Sequence, residues 1–372
     1  MQKVKFDHPL DHGFYKVLVE RIEAYFHDNQ ISKKANGLFW FKIVFYFIIT
    51  AALYIAILSG KFHGLGLAFL FVVFGISITI LLFSIGHDAS HHAISKSQWV
   101  NRLFAYAWNA VGISSYFWEL KHNFAHHGFT NIPGKDDDID QSKLVRLNPN
   151  SKRKWFHKYQ HLYAPFLYSL LSLNIVYFKD FKLLLQHNFG NRAINPHPTK
   201  EIWILIATKV FVISYMIIVP KMVLEISWME MLGYHVLMHL AIGLFIGFVL
   251  VPVHVTGESE YRLPDETGTV HRDWGSHQAE ATVDFAAENN FINWITGGLN
   301  THVIHHLFPT INHIHYFQLT KIVKQTAKEF NFPYRNYSLS KVLIEHLRFL
   351  KQLGKTDNPT HNPQFDLKAE IV

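Results

Sequence analysis

The sequence predicts an all-α integral membrane protein: four transmembrane helices in two hairpins, with a helical cap on their cytoplasmic side. Three observations predict it. Hydrophobic residues make up 49% of the 372, but they are clumped, so that Gly64 to Gly86 and Met231 to Val253 hold no charged side chain. About 20 apolar residues suffice to cross ~30 Å of hydrocarbon. The links Ser59 to His63 and Glu225 to Glu230 are short enough only for a tight return, whereas the stretch from Gly86 to Glu201 is long and polar. Lys and Arg number six before the first span, fourteen between His87 and Glu201 and eleven after Val253, with only Lys61 in the two short links. The positive-inside rule therefore puts both termini and the long middle segment in the cytoplasm.

Taken in order, Phe14 to Phe26 carries apolar residues at helical spacing (Phe14, Val17, Leu18, Ile22, Tyr25, Phe26) and predicts a helix docked on the cap or the membrane. The first span is drawn over Trp40 to Leu58, with Lys42 at its cytoplasmic start, and the second over Gly64 to Gly86. Leu162 to Phe178 is apolar but short and holds Pro165, so it predicts a helix lying in the interface or packed on the cap. The third span runs from Ile202 to Leu224. It is interrupted by Lys209 and Lys221, each expected to snorkel from a helix end. The fourth runs from Met231 to Val253, Pro333 to Gly354 predicts a further amphipathic helix, and Lys355 to Val372 reads as a solvated tail. Three regions follow: an N-terminal segment over 1–39, a membrane domain over 40–354 and a tail over 355–372.

The chain has no cysteine, which excludes disulfides, thiolate zinc sites, iron-sulfur clusters and a thiol nucleophile. The net charge of +7 follows from topology and predicts no nucleic-acid partner. Residues 1–12 lack the pattern of a cleaved signal peptide. Any metal must be held by histidine or carboxylate.

Histidine accounts for 26 of the 372 residues. At that frequency a lone HxxxH is expected about twice by chance, and His8/His12 and His157/His161 are uninformative for that reason. HxxHH or HxxxHH triples are expected only about 0.25 times. There are three: His87, His91, His92; His122, His126, His127; and His302, His305, His306. Residues three or four apart share a helix face, which pairs His87 with His91, His122 with His126, and His302 with His305 and His306. All three boxes fall on the cytoplasmic side. His254 ends the fourth span at the level where His87 leaves the second and is a ninth candidate ligand. His92 points off the His87/His91 face. His235 and His239 lie about 22 to 28 Å upstream of His254, where interhelical hydrogen bonding explains them.

Eight or nine imidazoles exceed one coordination sphere, so two metal ions are expected. Hydrocarbon C–H bonds, the obvious substrate at a bilayer, are inert to hydrolytic zinc chemistry, which selects redox-active iron with O2. Asp88, Glu119, Glu258, Glu260 and Asp284 are the carboxylates placed to orient the rings.

The boxes resemble those of the membrane fatty acid desaturases. Gly86-His87-Asp88-Ala89-Ser90-His91 is similar to the family's first box, Trp118 through Lys121-His122-Asn123 to His126-His127 to the second, and Gly297-Gly298-Leu299-Asn300 to His302, His305, His306, Leu307, Phe308 and Pro309 to the third. The resemblance covers roughly residues 14 to 345. It is nearest to the bacterial acyl-CoA or acyl-lipid type related to linoleoyl-CoA desaturases. It implies a mushroom-shaped helical protein with a cytoplasmic di-iron cap and a buried acyl tunnel, which converts a CH2–CH2 pair to a double bond with O2 and two electrons. The implied ligands are His87, His91, His122, His126, His127, His302, His305 and His306, with His254 matching an extra histidine after the fourth span. Asp88, His92, Asn123, Asp284 and Asn300 are the residues expected around them. One departure stands out. Desaturases acting toward the carboxyl end often carry Gln at the first position of the third box, where this chain has His302, and regiochemistry stays open.

The chain shows no haem-binding HPGG and no GxGxxG, so a separate donor is expected: ferredoxin, cytochrome b5 or a flavoprotein reductase. The bilayer and a fatty acyl-CoA or acyl-lipid are the other expected partners. The expected location is the cytoplasmic membrane of a bacterium, or the endoplasmic reticulum of a eukaryote. Hydroxylases and ketolases use similar boxes, and product analysis separates them. A histidine-lined metal transporter would carry its boxes inside the spans, a haem cytochrome would show a Soret band, and a zinc protease needs an HExxH that Asp88 after His87 does not supply.

Overall fold

The computed structural model describes residues 2–7, 13–139 and 143–356. His8, His12 and the tail beyond Thr356 lie outside the described residues. Four helices are long and apolar enough to cross a membrane: Gly37–Leu58, Gly64–Ser90, Thr199–Val223 and Trp228–Leu250. The first, third and fourth each begin three residues earlier than the apolar runs alone suggest, and the second ends later. The first and fourth starts are set by polar caps. Asn36 accepts the amide of Phe39, and Ser227 and Glu230 satisfy each other's backbone amides at the fourth span. Nothing breaks the second helix at Gly86, so it carries His87 in its last turn and delivers His91 at its end. The fourth stops at Leu250, before Pro252, and His254 follows in a turn rather than in the span. Outward-facing Phe41, Phe47, Ile48 and Phe69 stay exposed, as lipid-facing residues of a membrane span do.

The third span departs from expectation. Lys209 does not snorkel. It is buried, and its Nζ reaches Asp180 Oδ2 at 2.7 Å, Gly112 O at 2.6 Å and Val176 O at 2.5 Å. A partnered ammonium inside the protein costs less than one stretched through lipid from the middle of a helix. Lys221, nearer the far end, lies over the Trp228 ring at 5.5 Å. A π-helical turn over Ser214–Ile218 precedes Pro220, where the missing amide would interrupt regular helix pairing.

The segment after Gln160 also differs. Helical segments Gln160–Ser169, Leu171–Asn174, Ile175–Lys179 and Asp180–Leu184 follow one another; the first packs on the cap as expected, its Ala164 and Tyr168 against Phe349 and Leu350, and the first two also pack along the fourth span rather than lying in the interface. Two glycines allow this. A Cβ on Gly243 would come within 2.1 Å of the Ser169 carbonyl, and one on Gly247 within 2.7 Å of Tyr168. Small residues let helix backbones approach closely in membranes.

The cap is built from amphipathic helices. Phe14–Asp28 buries Phe14, Leu18, Ile22 and Phe26 against Leu319 and Val323 of Tyr316–Glu329 and against Val303, Ile304 and Leu307 of the third box. Leu339–Lys355 buries Val342, His346, Phe349, Leu350 and Leu353. Truncating one such core residue to Ala costs about 2 to 5 kcal/mol. Strand pairs of two residues each, Lys5–Phe6 with Thr269–Val270 in parallel and Asp284–Phe285 with Asn336–Tyr337 in parallel, tie the cap's loops together.

Candidate metal centre

The nine histidines singled out above are all buried and converge. They sort into two sets of four: His87, His91, His122 and His305, and His126, His254, His302 and His306, with ligand atoms within 4.8 Å of one another in each set. His127 stands between them, grouping with His305 and His306 and placing Nε2 at 3.3 Å from His122 Nε2. Within the sets, His122 Nε2 lies 3.3 Å from His87 Nε2 and His302 Nε2 lies 2.8 Å from His254 Nε2.

His122 and His126 meet as helical spacing expects, grouping with Asp138 within 4.8 Å, yet the two four-histidine sets take one each. The second box is wound as a π-helix over Leu120–His126, with the His127 amide bonded to the His122 carbonyl five residues back. The wider turn lets His122, His126 and His127 all face inward toward different partners. His92 is a correction of another kind. The helix has ended, its φ is +56°, the side chain is exposed, and its carbonyl accepts Lys34 Nζ at 2.8 Å.

Outer hydrogen bonds fix the rings. The Asp136 carboxylate has both oxygens 3.1 Å from His126 Nδ1. His306 Nδ1 donates to Gln278 Oε1 at 2.9 Å, and His302 Nδ1 donates to the Leu299 carbonyl at 2.8 Å. Each bond leaves Nε2 free to coordinate. Thr130 and Gln278 lock together at 2.7 Å. Burial, reinforced by neighbouring imidazoles, pushes His91, His122, His127, His254, His305 and His306 well below the usual histidine range. His302 is pushed down to about 3, chiefly by burial. Burial lowers His126 too, but Asp136 more than offsets it and the net shift is upward. Neutral imidazoles with available lone pairs are what a metal requires.

The other expected residues are distributed differently. Asp88 Oδ2 accepts His313 Nδ1 at 2.8 Å, while Oδ1 is 3.7 Å from His87 Nδ1. Asp284 accepts the Val303 amide at 2.8 Å and the Tyr334 hydroxyl at 2.6 Å, holding the start of the third-box helix rather than a ring. Asn123 Nδ2 donates to the Ser90 carbonyl at 2.7 Å, tying the first box to the second. Asn300 Nδ2 donates to the Phe285 carbonyl at 2.9 Å. Glu258 pairs with Arg335, the Glu260 amide bonds the Glu280 carbonyl, and neither these two nor Glu119 enters a histidine group. Sequence reasoning missed Asp136, Gln278, Thr130 and His313. The acidic run Asp136 to Asp138 after Pro133-Gly134 was the one signal available. Asp138 lies near His122 and His126 and pairs with Lys121.

The donor set fits metal ions. His91 Nε2, His305 Nε2 and His306 Nε2 are buried without any hydrogen-bond partner, a costly state that coordination relieves. The centre also roofs a cavity. His87, His122 and His302 line its top, and it continues between the spans past Leu82 and Ile246 to Met216 and His239.

A four-span membrane protein whose clustered imidazoles open onto an apolar cavity has the design of an enzyme for hydrocarbon chains. The comparisons agree. The model of the Fatty acid desaturase family matches residues 62–338, and the chain belongs to that family. It is similar to the sn-1 linoleoyl-lipid 6-desaturase of Synechocystis sp., 30% identical with 95% of this chain and 98% of the relative covered. The sn-1 linoleoyl-lipid 6-desaturase of Arthrospira platensis is 33% identical with 87% of each covered. The acyl-lipid (8-3)-desaturase of Physcomitrium patens is 30% identical with 92% of this chain and 72% of the relative covered. The protein is therefore a membrane oxidoreductase that desaturates fatty acyl chains.

Proposed function

We propose that this chain is an acyl-lipid desaturase that introduces a cis double bond toward the carboxyl end of the acyl chain, at a di-iron centre held by His87, His91, His122, His126, His127, His254, His302, His305 and His306. The observation that carries the reading is the division of eight of these histidines into two four-membered sets above the cavity, with His127 between them. Iron bound there would supply O2 activation, the chemistry that takes two hydrogens from a CH2–CH2 pair while two electrons and two protons complete the reduction of O2 to two waters. The chain's own residues do the rest. The apolar cavity excludes water and holds the acyl chain under the roof, and Asp136, Gln278 and the Leu299 carbonyl hold the rings in the tautomer that turns Nε2 inward.

The names of the relatives support an acyl-lipid substrate and a position toward the carboxyl end. The Lys/Arg distribution supports a centre facing the cytoplasm and a membrane domain over 40–354 flanked by an N-terminal segment and a tail. The test is fatty acid profiling by mass spectrometry after expression in a host lacking polyunsaturates and fed candidate acids, with products sorted by lipid class. A new double bond in intact lipids is the expected result. Hydroxylated products, or products confined to acyl-CoA, would overturn the corresponding part.

A further inference from the structure

The cavity under the centre is apolar along most of its length, but one part of its wall is charged. Lys121, Asp138 and Lys179 line it together, beside His122 and His126. The Lys121 ammonium pairs closely with Asp138, whereas Lys179 Nζ comes only to 3.9 Å from Asp138 Oδ1. The two lysine nitrogens are also neighbours of one another. Elsewhere in the same wall Asp180 is paired with Lys209, whose ammonium is completed by two backbone carbonyls. Lys179 is not settled in that way. Among the described residues its one ion pair is the long contact to a carboxylate that Lys121 already holds, so its three donors outnumber their acceptors. Unmet donors at a largely buried position are costly, and a ligand that supplies an acceptor relieves the cost.

The segment that carries Lys179 is a thin wall between the cavity and the outside. With its π-helical turn over Ile175–Lys179 it turns Val176, Lys179 and Leu183 to the cavity. Phe178, Phe181 and Leu185 are exposed on the other side, as residues covered by a bilayer are. Lys179 itself keeps 13% of its side chain exposed, so a lipid can meet it at the edge of the cavity while its acyl chain runs under the centre. The spacing also suits this role. Asp138 brings a carboxylate oxygen within 4.8 Å of the ligand nitrogens of His122 and His126, which puts Lys179 two short contacts from the centre. A carbonyl held there leaves only a few methylenes before the reacting carbons, as a double bond toward the carboxyl end requires.

We propose that Lys179 binds the C1 ester carbonyl of the acyl lipid and is the specificity-determining residue that fixes where, counted from the carboxyl end, the double bond forms. Lys121 takes up the Asp138 carboxylate and so leaves the Lys179 donors for the substrate, which accepts a charge-assisted hydrogen bond. The proposal rests on the desaturase reading above and deepens it.

The experiment supplies ester lipids in membranes to wild type, Lys179→Met, Lys179→Arg and, as a control, Lys182→Met, whose lysine is exposed one turn further along. It reads KM, kcat, double-bond position by mass spectrometry and bound iron. Lys179→Met is expected to raise KM roughly 10- to 100-fold, the scale of a lost hydrogen bond to a charged group, and to scatter the double bond over neighbouring positions with iron unchanged. Lys179→Arg, which keeps a charged donor, should keep the position, and Lys182→Met should behave as wild type. A second arm needs no variant. Wild type given an ether lipid with the same chain, in which a methylene replaces the C1 carbonyl, should show a similar rise in KM and the same scatter. Equal KM and one shared position for ester and ether lipids overturn the proposal even where the variants fail to accumulate. So does an unchanged position in Lys179→Met, an equal scatter in Lys182→Met, or loss of iron in place of scatter. Wild type that desaturates neither lipid instead sinks the desaturase reading, which keeps the two failures apart.

Discussion

Nε2 of His302 stands 2.8 Å from Nε2 of His254, although 48 residues separate them in the chain. His254 follows the fourth span and His302 opens the third box, so the contact joins a residue outside every box to the centre. Burial and the His302 ring hold His254 neutral. His254→Gln is expected to abolish product formation and to lower bound iron, a larger effect than the ~10 to 100-fold typical of residues that merely orient a ligand. The exposed His92→Gln serves as control and should leave both near wild type. Normal activity in the His254 variant at matched expression would remove it from the site.

Asp136 supplies the matching test of ring orientation. Its carboxylate holds His126 Nδ1, accepts the Asn131 amide at 2.9 Å and caps the turn to Asp138. Asp136→Asn keeps the size and one acceptor oxygen but loses the charge. Iron affinity, measured by competition with a chelator, should fall by roughly 10 to 100-fold. An unchanged affinity would mean that the carboxylate serves only the loop.

The particulars above show which features a sequence reveals. The spans were legible because hydrocarbon thickness fixes their length, and the boxes because their spacing exceeds chance. The inward turn of Lys209 was not legible, since its partner Asp180 lies on a different helix. The assignment of His122 and His126 to different four-histidine sets goes with a π-helical turn, a backbone choice that residue spacing does not encode. Gly243 and Gly247 read as ordinary span residues until Ser169 and Tyr168 are seen against them. Asp136 acts across ten residues of irregular loop, where no periodicity points to a partner.

His346 gives a pH dependence. It is buried, bonded through Nδ1 to the Val255 carbonyl at 2.8 Å and through Nε2 to Tyr168 OH at 2.8 Å, and burial pushes it down to about 4. Between about pH 6.5 and pH 4 the unfolded chain binds a proton that the folded chain does not, so stability is lost as pH falls through that window. The full shift corresponds to about 3 kcal/mol. His346→Leu should be less stable near neutrality, where it loses two hydrogen bonds, and should fall less steeply on acidification. Thermal unfolding in detergent across the window checks this, and parallel profiles for both proteins would contradict it.

Topology can be tested cleanly because the chain has no cysteine. A cysteine at Ser59, in the first short link, should react with an impermeant reagent applied outside the cell. One at Ser97, just after the first box, should react only once the membrane is opened. The reverse pattern would invert the orientation argued from Lys and Arg.

The central claim is a centre of two irons held by nine histidines, and the most direct measurement is elemental analysis of protein purified in active form from iron-replete cells. Close to two irons per chain is the predicted result, falling in step with activity in His254→Gln. Stoichiometric zinc in protein that still desaturates, or full activity with a single iron per chain, would contradict the account.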